Sequence, residues 1–216
     1  MPTLLLRMRA PMMSWGDHSR FTIRDTQREP TKSAVIGLLC AALGRPRWEA
    51  VNDLAALKMG VRVNQEGVVQ RDYHTVMDAV KSGGGKGGTV ISHRYYVADA
   101  DYLIGLESRD QEFLQHLDSA LQTPVWQLYF GRKSFVPSHP IRIGITDAPL
   151  LAALEYKIPR SEKAIKLLPS HLRCVIEVAD SSDVRQDVPV DWQKRLFGSR
   201  CVEPHFLDKS QCFSPS

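Results

Sequence analysis

Residues 12–44, MMSWGDHSRFTIRDTQREPTKSAVIGLLCAALG, decide how the chain is read. Val35, Leu38, Leu39, Ala42 and Leu43 fall on one face at helical spacing. Ala34, Gly37 and Ala41 form a second face, flat enough for close backbone contact. Thr31 or Ser33 can cap the start, because a hydroxyl accepts from amides that lack a partner in the first turn. Gly44, followed by Arg45-Pro46, ends the helix. Arg20, Arg24, Arg28 and Lys32 surround its start, where the positive end of the macrodipole already favours anions. The stretch therefore reads as an entrance for backbone phosphates. A solvated surface loop ahead of a core helix accounts for the same residues equally well when the stretch is taken alone.

Working outward, residues 3–9 alternate, with Leu4, Leu6 and Met8 on one side and Leu5, Arg7 and Arg9 on the other, the period of a half-exposed strand. Trp48 to Lys58 reads as a short helix and Gly60 to Val63 as a strand. From Val69 to Ala100 the apolar pattern breaks up around the run Gly83-Gly84-Gly85-Lys86-Gly87-Gly88, as in an extended arm with a flexible tip. Tyr102 to Leu106 is a strand, and Ser108 to Gln111 is a capping box opening a helix striped by Phe113, Leu114, Leu117 and Leu121. After Pro124, Val125 to Phe130 is expected as a strand, Gly131 to Ser134 as a basic turn, and Ile141 to Ile145 as a further strand. This order predicts an α+β class with a ferredoxin-like βαββαβ unit over residues 1–147. Residues 148–216 are expected to form a small β-rich C-terminal subdomain, with a disordered tail from Lys209 to Ser216.

The net charge is only +4, but it is clustered: residues 7–47 carry eight Lys/Arg against Asp17, Asp25 and Glu29. Lys157, Arg160, Lys163, Lys166 and Arg173 form a second basic group facing Glu162. Cys40, Cys174, Cys201 and Cys212 lack any Cys-x-x-Cys spacing, which fits reduced thiols and a cytoplasmic location. No apolar run approaches a membrane span, and Arg7 and Arg9 interrupt the N-terminal leucines before a signal core could form.

The glycine run does not make a phosphate-loop motif, which needs a glycine at Val80 and a hydroxyl at Gly87. The histidines are too dispersed for metal-ligand spacing, so neither a metal nor a cofactor is expected. Tyr73-His74 offers a general acid and base for RNA cleavage, with no second group fixed beside it. The Arg132-Lys133-Ser134 turn suits phosphate contacts, and equally suits an ordinary surface turn. Trp15 and Trp126 can stack on bases, although aromatics beside apolar strands more commonly belong to a core.

Met13-Ser14-Trp15-Gly16, Arg24 and Arg28 ahead of Pro30-Thr31-Lys32-Ser33, and Ile36 to Leu39 stand in a familiar order with Arg71 to Val76, Leu128 to Ser134 and Pro137 to Pro140. Together they resemble the CasD-type subunits of the type I-E CRISPR Cascade complex, within the RAMP superfamily. The resemblance implies an RRM-like domain with a β-hairpin thumb at about residues 71–100. It further implies a non-catalytic subunit that binds the 5′ handle of the CRISPR RNA beside the backbone and large subunits, and meets target DNA only indirectly. Carried onto this chain, the handle cleft falls on Trp15, Arg20, Arg24, Arg28, Lys32, Ser33, Arg132, Lys133 and Ser134, with Tyr73, His74, Lys86 and Arg94 on the thumb. The competing reading is a metal-independent endoribonuclease that processes precursor RNA, as relatives in type I-C systems do, using Tyr73, His74 and Lys32.

Overall fold

The computed structural model describes residues 1–16, 22–80, 83–85 and 87–215. In chain order its elements are β1 (Thr3–Arg9), β2 (Met12–Met13), β3 (Ile23–Arg24), α1 (Lys32–Leu43), α2 (Asn52–Ala55), β4 (Lys58–Gln65), β5 (Val68–Val76), β6 (Val90–Ala98) and β7 (Asp101–Glu107). They continue with α3 (Gln111–Gln122), β8 (Arg142–Thr146), α4 (Leu150–Ala153), β9 (Ile158–Arg160), α5 (Glu162–Lys166), β10 (His171–Val178), β11 (Asp183–Asp191), β12 (Leu196–Asp208), α6 (Lys209–Cys212) and β13 (Phe213–Pro215).

A seven-stranded antiparallel sheet, ordered β11-β12-β10-β4-β7-β1-β8, organises the molecule, which is a mixed α+β fold. Both its faces are covered. Leu4, Leu6 and Met8 of β1 and Tyr102, Ile104 and Leu106 of β7 pack beneath α1 and α3, while Leu5 and Leu103 point the other way, against α4 and the C-terminal segment. Every residue of β7 is buried, as expected of a central strand coated twice. The alternation in β1 suggested one open face, but residues 148–215 close that face over Leu5.

Helix α1 starts as expected, with the Thr31 hydroxyl accepting from the Ala34 amide, and ends at Gly44 in the left-handed region (φ 72°). Asp110, not Ser108, is the N-cap of α3. Val125 to Phe130 is not a strand. Its first two amides donate to Ala42 O (3.0 Å) and Ala41 O (3.1 Å), so the segment satisfies the carbonyls at the C-terminus of α1 and the edge position beside β1 falls to β8. The helix expected over residues 48–58 shortens to α2, because Trp48 stays exposed and β4 already begins at Lys58.

The C-terminal strands extend the main sheet: β10 pairs with β4 through Cys174↔Arg62, Val175↔Val61 and Ile176↔Gly60. Of the tail, residues 209–215 form α6 and β13 in place of the expected disorder, since Cys212 and Phe213 are buried and β13 pairs with β9, and Ser216 lies outside the described residues. Arg62, fully buried, holds this segment from inside the sheet, donating to Leu154 O, Tyr156 O (3.0 Å) and Cys212 O (3.4 Å). Among the described residues no helix is long and apolar enough to cross a membrane.

Candidate nucleic-acid interface

The arm is an antiparallel hairpin of two nine-residue strands, β5 and β6, in register from Val68↔Ala98 to Val76↔Val90. At about 3.3 Å per residue each strand runs roughly 30 Å. Strands β2 and β3 hydrogen-bond to the other edge of β6, β2 at Val97–Ala98 and β3, in parallel, at His93–Arg94. This register places Asp72, Arg94 and Arg24 in one row on one face of the small sheet.

Arg132 reaches the same face from the turn after residue 130, its Nη2 donating to Tyr95 O (2.7 Å) and its guanidinium lying 5.1 Å from the Phe135 ring. Burial lowers the affinity of Arg132 for its proton, and the neighbouring charge of Arg94 lowers it further. An arginine so placed remains a cation, and an arriving anion relieves both costs. The nearby carboxylate, Asp72, is paired with His74. On the opposite face Tyr73 lies against His93, the rings tilted by 53° with 5.6 Å between centroids, and Ile23 is exposed beside them. One face thus offers guanidinium groups and the other a tilted aromatic pair.

The turn is fixed by close packing. Gly131 has φ 85°, and a Cβ there would lie 1.9 Å from Ser14 O, so only glycine fits. Trp15 belongs to the core, 1% exposed, with ring contacts to Tyr102 (6.2 Å) and Phe130 (5.6 Å). It supports the interface from beneath and has no face open to a base.

The start of α1 also differs from expectation, because protein groups already occupy it. The Lys32 amide donates to Asp187 Oδ2 (2.7 Å), and the Lys32 ammonium, buried, binds both oxygens of Glu177 at 2.9 Å. Arg200 completes the cluster, donating to Asp187 from Nε (2.6 Å) and Nη2 (2.8 Å). Burial lowers the pKa of Lys32, with Glu177 opposing it. The hydroxyl of Ser33 is engaged with that of Thr31 (3.2 Å). Asp187, Glu177 and Arg200 lie some 145 to 170 residues along the chain, and nothing in the local sequence announces them.

Arg28 is exposed at the mouth of a cleft of about 740 Å³ lined also by Glu29, Glu66, Arg173, Arg185 and Asp187. Inside it, Arg173 and Arg185 grip the two oxygens of buried Glu29. The Tyr102 hydroxyl donates to Arg28 O, and burial pushes its pKa far up. Lys133 and Ser134 are exposed on their turn. The structure therefore brings Arg24, Arg94 and Arg132 together and leaves Trp15 and Lys32 inside. Arg20 and Lys86 lie outside the described residues.

A family model described as CRISPR-associated protein (Cas_Cas5) matches residues 3–203. The chain is 32% identical over 174 residues to the CRISPR system Cascade subunit CasD of Escherichia coli (strain K12), spanning 71% of this chain and 76% of that protein. A crystal structure of a Cas protein is 40% identical, with a TM-score of 0.76 and 97% of each chain covered. A chain of a CRISPR RNA-guided surveillance complex is 27% identical, with a TM-score of 0.82, covering 99% of this chain and 94% of that one.

Proposed function

The chain belongs to the CRISPR-associated Cas_Cas5 family, and from that premise we propose that it is the subunit of a type I-E Cascade complex that holds the 5′ handle of the CRISPR RNA. The observation carrying this reading is the convergence of Arg24, Arg94 and Arg132 on one face of the hairpin. Guanidinium groups fixed by strand pairing and backbone contacts suit phosphates of an irregular single strand, and the Tyr73–His93 pair suits a stacked base. Arg28 and Lys133 extend the cationic surface, with Ser134 beside them as a neutral donor.

In this reading the hairpin is the thumb, lying over the RNA between handle and spacer. The partners are the Cascade backbone and large subunits, with target DNA met indirectly through the complex, in the cytoplasm and without a cofactor. The strands β4-β7-β1-β8, with α1 and α3 as crossovers, are read as a ferredoxin-like βαββαβ unit of the RAMP type within residues 1–147. The strands beyond residue 147 are its C-terminal subdomain.

We read the subunit as non-catalytic. Tyr73 and His74 are consecutive in β5 and project from opposite faces, and Lys32 is buried against Glu177, so the three groups required by the endoribonuclease do not meet. Purified protein incubated with repeat RNA in EDTA is expected to leave the RNA intact and bound. Arg24→Ala with Arg94→Ala should weaken handle binding and lower the slope of log K against log salt by about 0.7 for each phosphate no longer neutralised. Cleavage of the RNA, or unchanged affinity in the double variant, refutes the proposal.

A further inference from the structure

At the root of the hairpin, where β1, β4 and β7 send their chains out of the main sheet, a second basic site lies apart from Arg24, Arg94 and Arg132. Gln65, Asp101 and Arg9 are register partners across β4, β7 and β1, so they stand in one row on the same face. Arg7 lies two residues along, and its Nε and Nη2 bind the two oxygens of Asp101 at 3.2 and 2.7 Å. Asn64 donates to the same carboxylate (3.1 Å), leaving Asp101 fully engaged. Arg160 enters from β9, with Nη2 on Gln65 Oε1 and its guanidinium 5.6 Å from the Phe213 ring. Its Nη1 is buried and has no hydrogen-bond partner among the described residues. Among those residues no carboxylate pairs with Arg9 or Arg160, and Arg9 is exposed.

Asp101 thus pairs with Arg7 alone, and Arg9 and Arg160 make no ion pair among the described residues. Arg160 is held in place by a ring and an amide, so little side-chain freedom is lost when it binds. Lys157 and Lys163, both exposed, flank Arg160 in the sequence. Neighbouring cations without carboxylate partners match the repeating charge of a polymer better than the isolated carboxylates of a protein surface. We propose that Arg9 and Arg160, with Arg7 beside them, form a second contact for a phosphodiester backbone, independent of the hairpin face. The chemistry recognised is the phosphodiester; its source is RNA or DNA.

The test measures fluorescence anisotropy of the full chain with a labelled 20-nucleotide single-stranded RNA, the same sequence as single-stranded DNA, and its DNA duplex, across a salt series. Arg9→Glu is introduced both in the native chain and in a chain carrying Arg24→Ala and Arg94→Ala. In both backgrounds Arg9→Glu is expected to reduce affinity for at least one probe by about three- to tenfold, and to lower its salt slope by about 0.7 for a single strand or 0.9 for duplex. Arg9→Lys should restore most of the affinity, and the most affected probe identifies the source. Unchanged affinities and slopes for all three probes overturn the proposal, as does loss of binding to polyglutamate alone, which points to an acidic protein partner. The double-arginine background separates this outcome from failure of the hairpin reading, which shows as unchanged handle affinity when Arg24 and Arg94 are removed.

Discussion

Replacing Asp187 by alanine tests whether a carboxylate of the protein itself occupies the start of α1. Asp187 is 4% exposed and accepts from the Lys32 amide and twice from Arg200, itself 6% exposed. Removing one partner of a buried ion pair costs about 3–5 kcal/mol, because the remaining charge stays desolvated. For a chain of this size about 2–4 °C accompanies each kcal/mol, so the melting temperature should fall by roughly 6–20 °C. Burial pushes the Asp187 carboxyl up, but the hydrogen bonds and charge of Arg200, with the Lys32 amide, outweigh it and hold the pKa below the usual value. A depressed carboxylate stabilises the fold above its unfolded pKa, near 4, and loses that contribution as pH falls through the folded value. Melting curves of wild type and variant should therefore converge below about pH 4. The variant also exposes an amide terminus beside Arg200, so phosphate at matched ionic strength should recover part of its stability while barely moving wild type. A drop smaller than about 3 °C, or equal phosphate responses in both proteins, refutes the reasoning.

Gly131→Ala must move either the turn or Ser14, since its Cβ meets Ser14 O at 1.9 Å and its φ is 85°. The conformation alone costs about 1–2 kcal/mol, so calorimetry should show a melting temperature lower by at least about 2–8 °C, and handle affinity should fall as Arg132 leaves Tyr95 O. Arg62→Leu removes the donors to Leu154 O, Tyr156 O and Cys212 O. With about 1–3 kcal/mol at stake for each buried carbonyl left unpaired, limited proteolysis should release the segment from Lys209 onward, and an unaltered cleavage pattern counts against Arg62 as its anchor.

Local signals are legible wherever the physics is local. The Thr31 cap, the Gly44 terminus and the stripe of α3 each depend on neighbours within a turn or two, and each can be read from the sequence. Leu5 misleads because the material covering it arrives from beyond residue 148. Lys32 misleads for the same reason: a cation at a helix start looks identical whether its partner is an RNA phosphate or Glu177. Val125 to Phe130 has the composition of a strand, yet its amides serve the end of a helix more than eighty residues upstream. The basic residues themselves are visible. Their division into a convergent set, an exposed remainder and a buried set requires the register of β3 against β6.

That register has a mechanical consequence. β6 is gripped at two points along one edge, by β2 near the root and by β3 four residues farther out, and these two grips belong to a single stretch of chain, residues 12–24. The hairpin is thus a cantilever with its clamp at the N-terminal loop. Beyond His93 a free length of about 10 Å of β6 leads to the turn. A tilt imposed at the clamp is magnified at the tip, by leverage along the free length.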